Sequence, residues 1–231
     1  MYKNVSIIYF SGTGGTSRIT DAFEEGLLNR ECEVTKIPLD LSKLNLHTEK
    51  QSQNHDLIIL IFAVHAFDAP KPVYDWITST EIKRTDTAVI SVSGAGETWP
   101  NTGCRNDCCK CLEDRGFKVV YEKMMVMPSN WTITVNDHLA MWIINSIPEK
   151  VGKVLDSLLS GNIRRTNYKK SPLRSYFSKS EKDHASLFPK EIVVSESCTG
   201  CGWCSRNCPM NNISIKDFRP DFKDQCMSYL P

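Results

Sequence analysis

Five of the chain's ten cysteines fall in its last 34 residues, and four of them read Cys198-x2-Cys201-x2-Cys204-x3-Cys208-Pro209. Thiolates at this spacing let one tight loop wrap an iron–sulfur cubane, three binding one cluster while the fourth faces another. Zinc sites favour paired Cys-x2-Cys units separated by longer stretches, which makes zinc the poorer reading. Disulfides are poorer still. The chain runs from Met1 straight into a strand-like segment rather than an export signal, so its thiols are expected to be reduced. Cys226 stands about where a second ligand run would open, but the next ligand position holds Tyr229 and the sequence ends at Pro231. Two alternatives follow: the sequence is a fragment of a longer protein, or a second cluster is lost or altered. Cys198, Cys201 and Cys204 are the leading ligands, with Cys208 and Cys226 behind them.

A second stretch with chemistry in it is Ser11-Gly12-Thr13-Gly14-Gly15-Thr16, between an apolar run and an amphipathic one. A P-loop needs a lysine, and none stands between Ser11 and Arg18. A dinucleotide fingerprint starting from Gly12 and Gly14 needs a third glycine where Ser17 stands. What fits is a cradle of hydroxyls and backbone N–H groups around a phosphate at the start of a helix beginning near Thr16, where unpaired N–H groups and the positive dipole end favour an anion. A plain glycine turn is the alternative, and the position after a first strand argues against it. Cys104, Cys108, Cys109 and Cys111 invite another metal site. On a helix, however, residues 104, 108 and 111 share a face with Leu112, ahead of a stop at Gly116, which reads as a core stripe of small hydrophobes. Cys32, within a strand, takes the same reading.

These residues need elements to position them. Asn4 to Phe10, Cys32 to Ile37, Asp56 to Ala63, Thr85 to Ser93 and Phe117 to Met127 are rich in Val, Ile, Phe and Tyr at strand lengths. Leu57 to Val64 lacks polar alternation, as a central parallel strand covered on both faces requires. Ile19, Ala22, Phe23, Gly26 and Leu27 have helical spacing, as do Val151, Val154, Leu155, Leu158 and Leu159 before Gly161. The alternation predicts a doubly wound α/β domain of five parallel strands over 1–161. Leu41 to Asn54 is polar and weakly periodic, so a short or irregular element is expected there. Pro148 should interrupt any helix containing Leu139 to Ile147. Between Arg164 and Lys182 lie seven Lys/Arg and one Glu, and 162–190 reads as a basic linker. It is either solvated or able to dock an acidic redox partner. Residues 191–231 are too few for an ordinary core and call for a metal staple.

The chain's 231 residues allow one good-sized domain and an appendage, and 28 Lys/Arg against 27 Asp/Glu give no reason to propose nucleic acid or an anionic membrane as partner. The longest apolar run, Leu57 to Val64, is far short of the ~18 residues that cross a bilayer. A cytoplasmic location is expected.

In its glycine loop the sequence resembles the flavodoxin family, whose phosphate loop reads Ser/Thr-x-Thr-Gly-x-Thr after the first strand. The resemblance implies an FMN site. Ser11, Thr13 and Thr16 would supply hydroxyls, and Gly12, Gly14 and Gly15 close backbone approach. The loops after the third and fourth strands would hold the flavin ring: His65, Ala66 and Phe67 on one side, Ser93, Gly94, Ala95, Gly96 and Trp99 on the other. Phe67 as a core residue and Trp99 as a cap on the sheet are the bland alternatives. Glycine at 94 and 96 is expected to allow backbone approach to the ring. A phosphorelay receiver would need acidic residues where Phe10-Ser11 and Ala63-Val64 stand. The four-cysteine run resembles bacterial ferredoxins. Together with Ala66-Phe67-x-Ala69-Pro70-Lys71, Gly94-x-Gly96-Glu97, Pro100-Asn101-Thr102 and Met127-Pro128-Ser129-Asn130-Trp131, the two halves are similar to flavoproteins of anaerobes in which a flavodoxin-like domain is fused to a ferredoxin-type domain. That implies FMN, one or two [4Fe-4S] clusters and electron transfer with a redox protein or small molecule; the rival readings are a flavin-free docking or iron–sulfur carrier module and a quinone or small-molecule reductase acting from the flavin alone. No side chain is an obvious acid, base or nucleophile. A homodimer is compatible with this reading.

Overall fold

The computed structural model describes residues 2–39, 55–81, 84–129, 135–166 and 171–227. Strands β1 (Asn4–Phe10), β2 (Glu33–Pro38), β3 (Leu57–Ala63), β4 (Asp86–Ser93) and β5 (Lys118–Val126) pair in parallel in the order β2-β1-β3-β4-β5. This is the flavodoxin-like doubly wound order. The helices are α1 (Gly15–Leu28), α2 (Lys71–Ser79), α3 (Asn106–Asp114), α4 (Asp137–Asn145), α5 (Ile147–Leu159), α6 (Pro172–Leu187) and α7 (Trp203–Arg206). A short antiparallel hairpin, β6 (Ile213–Lys216) and β7 (Arg219–Phe222), follows.

Because side chains alternate across a strand, the apolar runs feed two cores. Ile7, Ile59, Ile61 and Ile90 meet Ile19, Phe23 and Leu27 of α1 and Val151, Val154, Leu155 and Leu158 of α5. Ile8, Leu60, Phe62 and Val89 meet Val73, Trp76 and Ile77 of α2 and Cys108, Cys109 and Leu112 of α3. Each fully buried aliphatic or aromatic side chain contributes about 1.5–3 kcal/mol. Pro148 falls in the first turn of α5, where its missing N–H costs nothing, and so separates α4 from α5 as expected. The expectation for Leu41 to Asn54 lies outside the described residues.

Two features differ from the sequence reading. The first is in the stretch read as a linker. Ser171 and Pro172 make a helix start, the Ser171 hydroxyl accepting from the Arg174 N–H at 3.2 Å, and α6 runs sixteen residues from there. Upstream of it, Arg164 extends the sheet edge, donating to the Val120 carbonyl at 3.0 Å and accepting from the Glu122 N–H at 2.8 Å. The second concerns the cysteine stripe. Helix α3 starts at Asn106, after a 3-10 turn over Asn101–Gly103, so Cys104 is buried ahead of the helix. Within α3 the core takes Cys108 and Cys109, leaving Cys111 half-buried at the edge. Cys32 is buried as expected.

The C-terminal module has little core of its own. Among the described residues its buried apolar side chains are Met210 and Met227, and both belong to the core cluster that contains Phe10 and Phe62 of β1 and β3. Among the described residues, no helix is long and apolar enough to cross a membrane.

Candidate functional site

Parallel pairing in register, Phe10 with Phe62 and Ala63 with Val92, brings the loops after β1, β3 and β4 to one end of the sheet. After β1 the chain turns through Gly14, left-handed at φ 93°, into α1. Its N-cap, Gly14, brings no capping side chain, its first turn has no acidic residue, and a β-carbon at Gly14 would meet nothing within 4 Å. An open helix start with no acidic side chain beside it fits a phosphate. Ser11 has a role beyond the expected one. Its hydroxyl oxygen accepts from the N–H groups of Gly14 and Ser17, both at 3.2 Å, and so holds the loop closed while keeping a proton to donate. Gly12 and Gly15 are half-buried, Thr13 is exposed, and Thr16 is buried.

After β3, His65 and Asp68 exchange backbone hydrogen bonds at 2.9 Å around Ala66 (φ 48°) and Phe67 (φ 58°). Two non-glycine residues in the left-handed region cost about 1–3 kcal/mol each and persist only where the surroundings over-determine them. Here Asp68 does so: its carboxylate accepts from the Ala69 N–H at 2.8 Å, the Tyr74 hydroxyl at 2.7 Å and Lys182 at 2.7 Å. Phe67 is half-buried rather than a core residue. The His65 Nε2–H donates to the Met227 carbonyl at 2.5 Å, and burial pushes the imidazole pKa down, keeping the ring neutral. His65 thus ties the β3 exit to the C-terminal module, a contact that no sequence pattern announced.

After β4, the Ser93 hydroxyl accepts from Asn101 Nδ2 at 3.0 Å and from the Ala95 N–H at 3.3 Å. Glycine at 94 has a cause within the chain. A β-carbon there would lie 2.7 Å from Ser129 Cβ and 2.9 Å from its Cα, so the close approach is to the backbone after β5. Gly96 is left-handed at φ 67°. Trp99 does not cap the sheet: it is 56% exposed and meets Phe177 of α6 edge-on, centroids 6.0 Å apart. Asn130 and Trp131 lie outside the described residues.

Beneath this loop is a buried charge network that sequence reasoning missed. Arg105, with no exposure, donates to the Ser91 hydroxyl at 2.6 Å and to Glu97 at 2.7 Å, and stands 3.6 Å from Glu122 Oε2. Glu122, 2% exposed, also accepts from Arg165 at 2.8 Å. A charge inside the apolar stripe from Cys104 to Leu112 was the available signal, since a buried guanidinium needs partners.

The ten thiols divide by environment. Burial pushes Cys104, Cys108, Cys109 and Cys111 up, which favours the thiol over the reactive thiolate. Cys201 is shifted the other way, drawn toward thiolate by the Trp203 N–H and the Thr199 side chain. Cys208 Sγ accepts from the Asn212 N–H at 3.3 Å. The loop's backbone is specialised as well. Gly200 is left-handed at φ 67°, and a β-carbon there would lie 2.4 Å from the Phe218 carbonyl oxygen. Among the described residues, no three His, Cys, Asp or Glu side chains converge as a ready-made metal cage. The donor chemistry nevertheless fits a cluster: soft sulfur ligands and backbone N–H groups directed at sulfur. Cys198 is half-buried in the same loop, Cys204 is half-buried in α7, and Cys226 is half-buried beside Met227.

Residues 191–214 match the family of 4Fe-4S binding domains, a span that includes Cys198, Cys201, Cys204 and Cys208 but not Cys226. Comparison with curated proteins gives no match. Among solved structures the chain is similar to oxidised flavodoxin 1 from Bacillus cereus, with 20% identity over 64% of this chain and 97% of that one, TM-score 0.42. It is similar to general stress protein 14 from Treponema denticola in complex with FMN, with 11% identity over 68% and 99%, TM-score 0.45. It is also similar to an NAD(P)H:quinone oxidoreductase from Methanothermobacter marburgensis, with 12% identity over 74% and 100%, TM-score 0.46. The fold assignment itself rests on the strand order described above.

Proposed function

We propose that this chain, a flavodoxin-like α/β fold followed by a 4Fe-4S binding segment, passes electrons between FMN and iron–sulfur within one polypeptide. A flavin exchanges two electrons, together as hydride or one after the other, whereas an iron–sulfur cluster passes one at a time, so the pair couples two-electron to one-electron chemistry. The protein's contribution is to bind, orient and fix separation. Ser11 and the open start of α1 would hold the phosphate, the turns at Ala66-Phe67 and Ser93–Gly96 would approach the ring, and Trp99 would stack on it. Cys198, Cys201, Cys204 and Cys208 would hold iron, with Cys226 as a further ligand. Donor and acceptor are a redox protein or a small molecule meeting the exposed end of the sheet.

One observation carries this reading. Met210 and Met227 belong to the same core cluster as Phe10 and Phe62, Cys208 packs against that cluster, and His65 donates to Met227. The cysteine module is therefore seated against the strand exits at which a doubly wound sheet binds its ligand. The test is composition. Anaerobically purified protein is denatured and its supernatant read for FMN fluorescence, with iron and acid-labile sulfide assayed on the same sample. Stoichiometric FMN with about four or eight iron atoms per chain, for one or two clusters, is the expected result. Absence of flavin, or zinc without sulfide, contradicts the proposal.

A further inference from the structure

Helix α6 is built against the candidate flavin loops more closely than a connecting segment requires. Arg174 is 6% exposed, and a β-carbon at Gly103 would lie 2.8 Å from its Cδ. Its Nη1 donates to the Phe67 carbonyl at 3.1 Å, within the left-handed turn after β3. Its Nη2 donates to Asp107 of α3 at 2.6 Å. One guanidinium, largely removed from water, thus ties the β3 exit to the segment that continues the β4 exit. A turn further along α6, Phe177 meets Trp99 with an interplanar angle of 80°, and Tyr176 meets Phe177 at 6.0 Å and 66°. An edge-to-face partner fixes the plane of an indole while leaving a face uncovered, in keeping with the 56% exposure of Trp99.

We propose that α6 is part of the flavin site: Phe177 sets the plane of Trp99 for stacking on the isoalloxazine ring, and Arg174 locks the β3 turn at Phe67 to Asp107 of α3, in the segment that follows the second ring-binding loop. Both are positioning residues. The proposal rests on the FMN reading above, and it assigns a binding role to a segment outside the five-stranded domain. The occupant is a flavin ring rather than a protein partner because the aromatic group adjoins the Gly94–Glu97 loop in sequence and is carried by the same helix whose Arg174 and Lys182 hold the β3 turn.

The test titrates full-length apoprotein with FMN, following flavin fluorescence together with the part of the near-ultraviolet circular dichroism that Trp99→Phe removes, since the chain has five tryptophans. Phe177→Ala is expected to weaken FMN binding about three- to tenfold, the worth of one edge-to-face aromatic contact, and to flatten the Trp99 band before any FMN is added. Phe177→Tyr should restore both, and since Phe177 is 39% exposed neither change should unfold the chain. Arg174→Met should weaken binding further, with the thermal melt recorded alongside. If the native chain binds FMN and Phe177→Ala binds it equally with an unchanged Trp99 band, this proposal fails alone. If the native chain binds no FMN, the reading beneath it fails as well.

Discussion

Truncating Arg105 to alanine is expected to lower the unfolding free energy by about 3–5 kcal/mol, the cost of breaking a buried ion pair from one side. The guanidinium has no exposure, and its removal strands Glu122, itself only 2% exposed, with Arg165 as its remaining cation. It also frees Glu97 and the Ser91 hydroxyl, so the loop carrying Gly94 to Trp99 loses its anchor. For a chain of this size the change corresponds to a fall in Tm of about 6–20 °C. Urea denaturation at neutral pH should show the midpoint moving at constant slope. The paired change Arg105→Met with Glu122→Leu should recover the part of the loss that comes from stranding buried Glu122, and not the part that comes from releasing Glu97 and Ser91. A single alanine variant as stable as the native chain would remove this network from the account.

The second large effect is expected at Gly200. Alanine there must adopt φ 67°, and its β-carbon must come within 2.4 Å of the Phe218 carbonyl oxygen. Phe218 cannot give way cheaply, since Asp217 (φ 47°) and Phe218 (φ 60°) form the tight turn between β6 and β7. Left-handed strain of about 1–3 kcal/mol adds to an overlap with backbone, and the loop between Cys198 and Cys201 must open. Iron and sulfide content should fall about tenfold or more, by the conversion of such a strain into an equilibrium constant. FMN content and the melting of the five-stranded domain should change little, because the module's burial into that domain comes from Met210 and Met227. Full cluster content in Gly200→Ala would show that the loop tolerates a β-carbon and that the close contact does not shape the site.

What was legible in the sequence is what depends on local pattern. The five strand segments were readable because uninterrupted Val and Ile runs have few alternatives to a doubly covered sheet, and the doubly wound parallel architecture then followed from alternation with helices. The glycine loop was readable because its spacing eliminates two phosphate motifs. Less legible were features that depend on phase and on distance along the chain. The cysteine spacing centres the predicted buried face on 104, 108 and 111, whereas the buried face of α3 is centred on Cys108, Cys109 and Leu112, which leaves Cys111 at its edge. Helix α6 was hidden by its charge, although Ser171-Pro172 is a start signal; its docking relies on Arg174 and Lys182 reaching Asp107 and Asp68, over 67 and 114 residues of sequence. Gly94 shows a different limit. A missing β-carbon reports a close approach, but the sequence does not say whether the neighbour is a ligand or, as here, Ser129.

The central claim is that both redox centres belong to one electron path within the chain. Rapid reduction of the flavin in anaerobic protein, followed by stopped-flow absorbance of flavin and cluster at several protein concentrations, tests it most directly. The account predicts that the cluster absorbance bleaches as the flavin is reoxidised, at a rate independent of protein concentration. A flavin that stays reduced beside an oxidised cluster, or a rate that rises in proportion to protein concentration, would contradict it.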